Sequence, residues 1–232
     1  RYLSNIFSSH DGVKLCIFDL DGTLVNTIRD LGESVSYALE QMGLPTRTMQ
    51  EYTDFVGNGP LLLVKRSLPD KLSGDEGAIA KAHELLSDYY SKHYADHSAV
   101  YSGMAETVAA LKEHGVKLCV LTNKPDRFAK EIISGLFDAY SFDWVFGSRE
   151  NVPKKPDPTA ELEIMALEGV QKENTVHIGD SDVDVYTAHN AGIKCIGCTW
   201  GFRSEQSLED AKADYIAHRP ADILDILGIA RA

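Results

Sequence analysis

Short apolar segments alternate with amphipathic segments over most of the chain, and this alternation restricts the possible folds more than any other feature. The apolar segments have the length of buried strands, whereas the segments between them repeat apolar residues every three or four positions, as helices do. Val108 and Leu111, for example, share one face of a predicted helix that ends at Gly115. The predicted strands are residues 14–19, 117–121, 143–147, 175–179, 194–198 and 214–216, and the predicted helices are residues 104–114, 126–136, 158–169, 183–191 and 221–228. The pattern predicts an α/β fold with a doubly wound, mostly parallel sheet, a Rossmann-like core with helices on both faces.

Residues 26–100, which we call the helical insert, follow a different pattern. Two apolar stripes have helical spacing, and no strand pattern separates them. The stripes are Leu31, Val35, Ala38, Leu39 and Met42, then Ile79, Ala82, Leu86, Tyr89 and Tyr90. This pattern predicts a small all-helical domain, residues 26–100, inserted after the first strand of an α/β core catalytic domain made of residues 1–25 and 101–232.

The charge balance excludes some classes of partner. The formal net charge is −12, because 35 Asp and Glu outnumber 23 Lys and Arg. Such a chain is unsuited to nucleic acid, for which clustered basic residues supply most of the affinity. The apolar runs are shorter than the ~20 residues of a membrane-spanning helix, and no signal-peptide pattern is present. We therefore expect a cytoplasmic protein, a monomer or homodimer, with neither nucleic acid nor membrane as a partner.

The four cysteines predict no disulfide framework. They are too few for one at this length, and Cys16, Cys119 and Cys195 lie in apolar strand-like segments, which is typical of buried free thiols. Cys195 and Cys198 form a single C-x-x-C pair. Neither a second pair nor a histidine cluster accompanies it, so the pattern disfavours a zinc site.

Four polar clusters fall at the ends of predicted strands or at the start of a crossover helix. Each of them alone has an ordinary structural explanation, as an Asp-Gly turn, a helix cap or a loop that enters a helix. Their joint occurrence is harder to explain by turn chemistry, because open α/β sheets bind ligands outside the carboxyl ends of their strands. The clusters are residues 19–23, 122–123, 154–158 and 179–184.

The acidic residues of these clusters predict a magnesium site. Asp19 and Asp21 lie two positions apart, and Asp180 follows another predicted strand. Carboxylates brought this close repel each other unless a cation offsets their charge. The clusters offer oxygen ligands and contain neither His nor Cys, which favours Mg²⁺ over zinc.

The clusters also resemble the motifs of a known family. DLDGT, LTN, the lysine before Pro-Asp-Pro, and GDSxxD resemble, in this order, the four motifs of the haloacid dehalogenase-like hydrolase superfamily, and the match extends over nearly the whole chain. The helical insert resembles the cap domain of the subfamily that includes phosphoglycolate phosphatase, phosphonatase and β-phosphoglucomutase. Within it, Phe55-Val-Gly-Asn-Gly59 is similar to a cap segment of bacterial phosphoglycolate phosphatases.

The resemblance implies catalytic roles for three residues. Asp19 is expected to be the nucleophile that forms an aspartyl-phosphate. Asp21 is expected to be the general acid and then the general base, and its presence excludes the dehalogenases of the superfamily, which lack this acid. Lys155, rather than Lys154, is expected to offset phosphoryl charge, because the family motif has its lysine directly before proline.

The resemblance also implies ligands for the phosphate and the metal. Thr122 and Asn123 are expected to bind phosphate oxygens through their side chains, and Gly22 and Thr23 through backbone N–H groups. The expected ligands of Mg²⁺ are Asp19, Asp21 (through its carbonyl) and Asp180, supported from behind by Ser181 and Asp184. Where relatives carry Asp-Ser after the first motif, this chain has Asn26-Thr27, which suits a helix cap equally well.

The cap domain of the family implies a selective role for the helical insert. We expect it to cover the site, exclude water and select the leaving group. Gly57, Asn58 and Arg66 are the candidate substrate contacts. Arg66 is either the partner of a substrate carboxylate or a solvent-facing helix charge, and the sequence leaves both interpretations open.

The expected function is a Mg²⁺-dependent phosphatase acting on a small phosphate monoester through an aspartyl-phosphate, with 2-phosphoglycolate as the leading substrate. The alternatives are a pyrophosphatase, a nucleotide or sugar-phosphate phosphatase, or a β-phosphoglucomutase. The mutase is less favoured, because Thr23 matches the phosphatases. A non-catalytic phosphate-binding protein is disfavoured by the intact pair of Asp19 and Asp21.

Overall fold

A parallel sheet of six strands forms the centre of the computed structural model, which describes residues 12–231. The strands in chain order are β1 (Leu15–Phe18), β2 (Val25–Asn26), β3 (Ala99–Val100), β4 (Lys117–Pro125), β5 (Trp144–Ser148), β6 (Thr175–Gly179), β7 (Lys194–Cys198) and β8 (Tyr215–Ala217). The sheet has the order β5-β4-β1-β6-β7-β8, and all of its strand pairs are parallel. The α/β fold class predicted from the alternating pattern is therefore confirmed.

Ten α-helices cover this sheet and build the helical insert within the described residues. The insert contains α1 (Ile28–Gln41), α2 (Met49–Phe55), α3 (Pro60–Ser67) and α4 (Glu76–His93), and the helices of the core are α5 (Met104–Glu113), α6 (Asp126–Leu136), α7 (Thr159–Glu168), α8 (Asp182–Ala191), α9 (Glu205–Asp210) and α10 (Pro220–Leu227). Short 3₁₀ turns lie at Asp70–Leu72 and Lys172–Asn174. The predicted strands and helices of the core match observed ones closely. The short helices α2, α3 and α9 were not predicted.

Two apolar layers hold the helices against the sheet. In β1 the side chains of Cys16 and Phe18 face one layer, and those of Leu15 and Ile17 face the other, as the alternation of a strand requires. Helices α5, α6 and α10 pack in the first layer, and α7, α8 and α9 pack in the second. Every residue of β1 is buried, which explains why this central strand is apolar throughout.

The strand order places the ends of β1, β4 and β6 side by side. After β1 the chain adds β4 and β5 on one side, and it then adds β6, β7 and β8 on the other. The switch in direction lies at the carboxyl end of β1, which is where open α/β sheets bind ligands. One detail differs from the sequence-based expectation, because β4 extends to Pro125 with a register shift and so includes Thr122 and Asn123.

A short antiparallel pair joins the two ends of the helical insert. Val25 pairs with Val100 and Asn26 with Ala99 in the ladder of β2 and β3. Strands of two residues have no period that a sequence pattern can reveal, so the expectation of an insert free of strands missed them. The buried carboxylate of Asp30 in α1 reinforces the junction, because it accepts hydrogen bonds from the backbone N–H groups of residues 97 and 98.

The described residues contain no helix that combines the length and the apolar character needed to cross a bilayer. All four cysteines are buried free thiols, as the strand-like context of three of them predicted.

Gly147 lies where β5 closely approaches the backbone at the junction of β4 and α6. A Cβ atom at this position would lie 2.5 Å from both Cα of Asp126 and the carbonyl oxygen of Lys124, and backbone cannot give way as a flexible side chain can. We expect Gly147→Ala to lower the free energy of unfolding by about 1–3 kcal/mol in urea denaturation.

Gly135 provides the matched control. It is exposed in α6, and nothing lies within 4 Å of a Cβ placed there. Gly135→Ala is expected to raise the free energy of unfolding by about 0.5–1 kcal/mol through helix propensity alone. Equal effects from both substitutions would contradict the packing described for Gly147.

Candidate active site

A cavity opens where β1, β4 and β6 end, and both the core and the helical insert line it. The core contributes mainly polar side chains, and the insert contributes mainly apolar ones. The lining residues from the core include Asp19, Asp21, Thr122, Asn123, Lys124, Phe128, Lys155, Asp180, Ser181, Phe202 and Arg203, and those from the insert include Leu31, Val56, Gly57, Gly59, Pro60, Leu63, Leu86 and Tyr90.

Asp19 lies directly after β1 with one carboxylate oxygen held and the other free. Its Oδ1 accepts a hydrogen bond of 2.7 Å from the backbone N–H of Leu20 and lies 3.2 Å from Nζ of Lys155. No described residue donates a hydrogen bond to Oδ2. Burial raises the pKa of Asp19 well above its usual range, the charge of Asp184 raises it further, and Lys155 opposes the rise.

Three carboxylates meet at this point and offer an oxygen-only donor set. Oxygen atoms of Asp19, Asp180 and Asp184 all lie within 4.8 Å of one another, and all three residues are buried or nearly so. Burial and the charge of Asp184 raise the pKa of Asp180 to about 6. Hard oxygen donors at this range suit a hard divalent cation, which would also offset the repulsion among them. The donor set therefore fits the predicted Mg²⁺.

The segment around Gly22 and Thr23 holds Asp180 rather than facing the cavity. Thr23 Oγ1 donates to Asp180 Oδ1 at 3.2 Å, and a Cβ atom on Gly22, whose φ is +83°, would overlap the carboxylate of Asp180. The N–H of Gly22 donates to Val25 and that of Thr23 to Leu20. The turn after β1 therefore already uses both N–H groups, and their expected contact with phosphate stays a prediction that would compete with these bonds.

Asp21 points toward a different set of partners. Its Oδ1 accepts a hydrogen bond of 2.5 Å from Thr27 Oγ1 and another of 2.9 Å from Lys124 Nζ. Neither contact was predicted from the sequence. Thr27 was interpreted as a helix cap, yet its hydroxyl makes no capping bond to α1. Oδ2 of Asp21 has no hydrogen-bond partner among the described residues, and Asp21 lines the cavity.

Lys155 belongs to a buried series of charged side chains that continues from the cavity into the core. Its Nζ is 2.7 Å from Asp184 Oδ1, and the same oxygen lies 2.8 Å from Nε2 of His177. Nδ1 of His177 lies 2.7 Å from Glu161 of α7. The neighbouring Lys154 is exposed, so the structure distinguishes the two lysines that the sequence placed side by side.

His177 and Glu161 were missed by the sequence analysis. The segment TVHIG was recognised only as a strand, although a histidine in the middle of a buried strand was a signal that it needs a polar partner. Burial opposes protonation of His177, but Glu161 and Asp184 outweigh it and raise the pKa of the imidazole to about 9.

Asn123 links the lysine loop to the helical insert. Its amide donates to the carbonyl of Lys155 and to that of Gly57, both at 3.1 Å, and its Oδ1 accepts from the N–H of Lys155. Its expected contact with phosphate stays a prediction and would compete with these bonds. Thr122 Oγ1 accepts from the N–H of Lys124, which leaves its own hydroxyl proton to donate into the cavity.

The structure brings only part of the predicted insert residues to the cavity. Gly57 lines it, whereas Asn58 and Arg66 do not. Arg66 is exposed at the end of α3, where it donates to the carbonyl of Phe55 at 2.7 Å and to Asn58 at 3.0 Å. Arg203, which follows β7 and was not predicted, lines the cavity instead.

The sheet is doubly wound and carries carboxylates and a buried lysine at its switch point, which is where open α/β sheets bind ligands. The chain belongs to the haloacid dehalogenase-like hydrolase family, because the model of that family, described as haloacid dehalogenase-like hydrolase, matches residues 16–198. Relatives named phosphoglycolate phosphatase further identify it as a phosphoric monoester hydrolase of this family.

Named relatives resemble the chain over most of its length. A phosphoglycolate phosphatase of Pseudomonas putida is 32% identical over 217 residues, which are 92% of this chain and 77% of the relative. A phosphoglycolate phosphatase of Vibrio parahaemolyticus is 31% identical over 222 residues, which are 94% of this chain and 97% of the relative. The crystal structure of a predicted phosphoglycolate phosphatase from Haemophilus somnus superposes with a TM-score of 0.87 at 30% identity, covering 94% of this chain and 99% of that chain.

The buried histidine generates a prediction about pH and stability. The pKa of about 9 in the folded chain exceeds the ~6.5 of an unfolded histidine, so protonated His177 stabilises the fold fully below that lower value. The contribution is lost as the pH rises through about 9. Between these limits we expect the free energy of unfolding to fall by an amount on the order of a few kcal/mol, as measured by urea denaturation.

His177→Gln is expected to be less stable near neutral pH and to show a flatter dependence on pH. His218→Gln is the control, because His218 is an exposed histidine beside Glu205. A decline of the same size in His177→Gln and in the wild type would show that His177 does not cause it.

Proposed function

We propose that this phosphatase is a Mg²⁺-dependent enzyme that hydrolyses a small phosphate monoester, with 2-phosphoglycolate foremost, through an aspartyl-phosphate on Asp19. The observation that carries the proposal is the position of Asp19. One oxygen is held by Leu20 N–H and faces Lys155 at 3.2 Å, while the other is free in a cavity shared with Asp21 and Asp180. A carboxylate fixed in this way is suited to attack phosphorus.

The reaction follows from the residues that surround Asp19. Its free oxygen attacks phosphorus, and the bond from phosphorus to the leaving oxygen breaks as Asp21 donates a proton to that oxygen. Asp21 then accepts a proton from water, whose oxygen attacks the phosphorus of the aspartyl-phosphate and releases phosphate and free Asp19. Thr27 and Lys124 orient Asp21 through Oδ1 and leave Oδ2 for both proton transfers.

Lys155 offsets negative charge on the phosphoryl group and on Asp19 throughout the reaction. Asp184 fixes the ammonium of Lys155, and His177 holds Asp184 in turn, so little reorganisation is needed when charge develops. Asp184 accepts hydrogen bonds at both oxygens, including two from Ser181 to Oδ2, and we therefore assign Asp184 and Ser181 to support of the site.

Asp19, Asp180 and the carbonyl of Asp21 would hold Mg²⁺. The clustered oxygens of Asp19 and Asp180 support the first two assignments, and the family resemblance supports the third. The bound ion would supply positive charge to the phosphoryl oxygens and offset the crowded carboxylates.

We propose that residues 26–100 act as a cap domain on a core of residues 1–25 and 101–232. The pairing of β2 with β3 supports these boundaries, because it closes the insert at Val25–Asn26 and Ala99–Val100. The insert covers the cavity with apolar side chains such as Leu63 and Leu86, which suits the exclusion of water from the reaction. The cytoplasmic location and the monomeric or homodimeric state stay predictions.

The preference for 2-phosphoglycolate rests on relatives about 32% identical that are named phosphoglycolate phosphatase. Phosphate release from a panel of esters is the test, with phosphoglycolate, pyrophosphate, nucleotides and hexose phosphates each assayed with Mg²⁺ and with EDTA. We expect phosphoglycolate to have the highest kcat/KM and EDTA to abolish release. A higher kcat/KM for another ester would replace the substrate assignment and keep the mechanism.

Asp19→Asn tests the nucleophile. An amide cannot form the acyl phosphate, so we expect kcat to fall by roughly 10³-fold or more while the circular dichroism spectrum and the urea midpoint show a folded chain. Asp182→Asn is the matched control, because Asp182 is an acid of the same strand-end region that does not line the cavity. Wild-type kcat in Asp19→Asn would disprove the nucleophile assignment.

A further inference from the structure

The positive side chains that line the cavity differ in how their charge is balanced. Lys124 lies 2.9 Å from Asp21, and Lys155 lies 3.2 Å from Asp19 and 2.7 Å from Asp184. Arg203 also lines the cavity, yet no carboxylate of residues 12–231 lies within ion-pair distance of it. Two of the three cations are therefore paired with acidic groups, and the third has no such partner among the described residues.

The partners of Arg203 are all neutral backbone carbonyls. Nη1 donates to Thr53 at 2.8 Å and, weakly, to Phe202 at 3.5 Å, and Nη2 donates to Val56. A guanidinium has five N–H donors, so Nε–H and one hydrogen of Nη2 are left without a partner among the described residues. These carbonyls fix the side chain in place but leave its charge to be balanced by something else.

The position of Arg203 in the chain places it between the metal ligands and the helical insert. The preceding residue, Phe202, donates its N–H to Asp180 Oδ2 at 2.9 Å. On the other side, a Cβ atom on Gly57 would lie 3.5 Å from Nη2 of Arg203. A group bound to this guanidinium would therefore lie beside the Gly57 loop of the insert, whereas the phosphate of the proposed substrate would lie at Asp19.

The insert itself offers little else for an anion. Its contribution to the cavity wall is largely apolar, through side chains such as Leu31, Leu63 and Leu86. Arg66, the candidate carboxylate partner in the insert, is exposed and donates to Phe55 and Asn58. An anionic leaving group in this cavity would meet Arg203 as its unmatched cation.

We propose that Arg203 binds the anionic end of the leaving group, which in the proposed substrate is the carboxylate of 2-phosphoglycolate. Arg203 is then the residue that selects phosphate esters with a short carboxylate-bearing alcohol over neutral ones of the same size. The inference rests on the proposed function, since it assigns the second anion of the same substrate. Charge-assisted hydrogen bonds from a fixed guanidinium to a carboxylate supply the preference.

The test compares two esters of similar size that differ in the carboxylate, phosphoglycolate and 2-hydroxyethyl phosphate. The quantity measured is the ratio of their kcat/KM values in the wild type, Arg203→Met, Arg203→Lys and Arg66→Met. In Arg203→Met we expect the ratio to fall about 10- to 100-fold, which is the range for a lost hydrogen bond to a charged group. Arg203→Lys should recover part of the ratio, and Arg66→Met should leave it unchanged.

The ratio separates recognition from a structural role. If Arg203 only anchors the carbonyls of Thr53 and Val56, both esters lose kcat/KM equally in Arg203→Met, the ratio stays constant, and the proposal is overturned. A ratio that falls in Arg66→Met instead would transfer the role to Arg66. Absence of turnover of every ester by the wild type would disprove the proposed function itself.

Binding without turnover gives a second measurement. Calorimetric titration of phosphoglycolate into Asp19→Asn, with Mg²⁺ present, is compared with the same titration into Asp19→Asn/Arg203→Met. We expect the dissociation constant to rise about 10-fold or more in the double variant. Equal dissociation constants, with both chains folded by circular dichroism, would overturn the assignment of Arg203 to the carboxylate.

Discussion

The repulsion among the carboxylates at the end of the central strand is the constraint on which the rest of the site depends. Asp19, Asp180 and Asp184 have oxygens within 4.8 Å of one another in a buried setting, which is tolerable only because nearby groups offset their charge. Lys155 and His177 hold Asp184, whereas Thr23 and the N–H of Phe202 hold Asp180. In the proposed mechanism, Asp19 and Asp180 of this costly cluster would hold the cation, and that cation and Lys155 would supply the positive field that binds phosphate.

Much of the fold was readable from the sequence because it depends on local periodicity. Buried parallel strands such as β1 are short apolar runs, and a helix such as α6 repeats its apolar face over three turns. The strands β2 and β3 and the short helix α9 are only two to six residues long, so no repeat can be recognised in them. They form because tertiary contacts select them.

The same distinction separates the site residues that were predicted from those that were missed. Asp19, Lys155 and Asp180 belong to contiguous motifs, and the strand order brings those motifs together. Lys124 contacts Asp21 across 103 positions, so no local pattern predicts the pair. Thr27 and His177 lie only six and seven positions from Asp21 and Asp184, but they stand outside the recognised motifs. Arg66 of an insert helix was the candidate cation for the substrate, yet Arg203, in a loop of the core, lines the cavity instead. The sequence of a loop does not indicate the direction of its side chains.

Asn123 joins the loop that carries Lys155 to the carbonyl of Gly57 in the helical insert. The placement of Lys155 is therefore coupled, through Asn123, to the position of the insert. A bulky ester that held Gly57 away would remove one restraint on Lys155 even while its phosphate remained bound. Selection against bulky esters would then act on the rate of turnover and not on substrate binding. In steady-state kinetics, oversized substrates would show a lower kcat with a nearly constant KM.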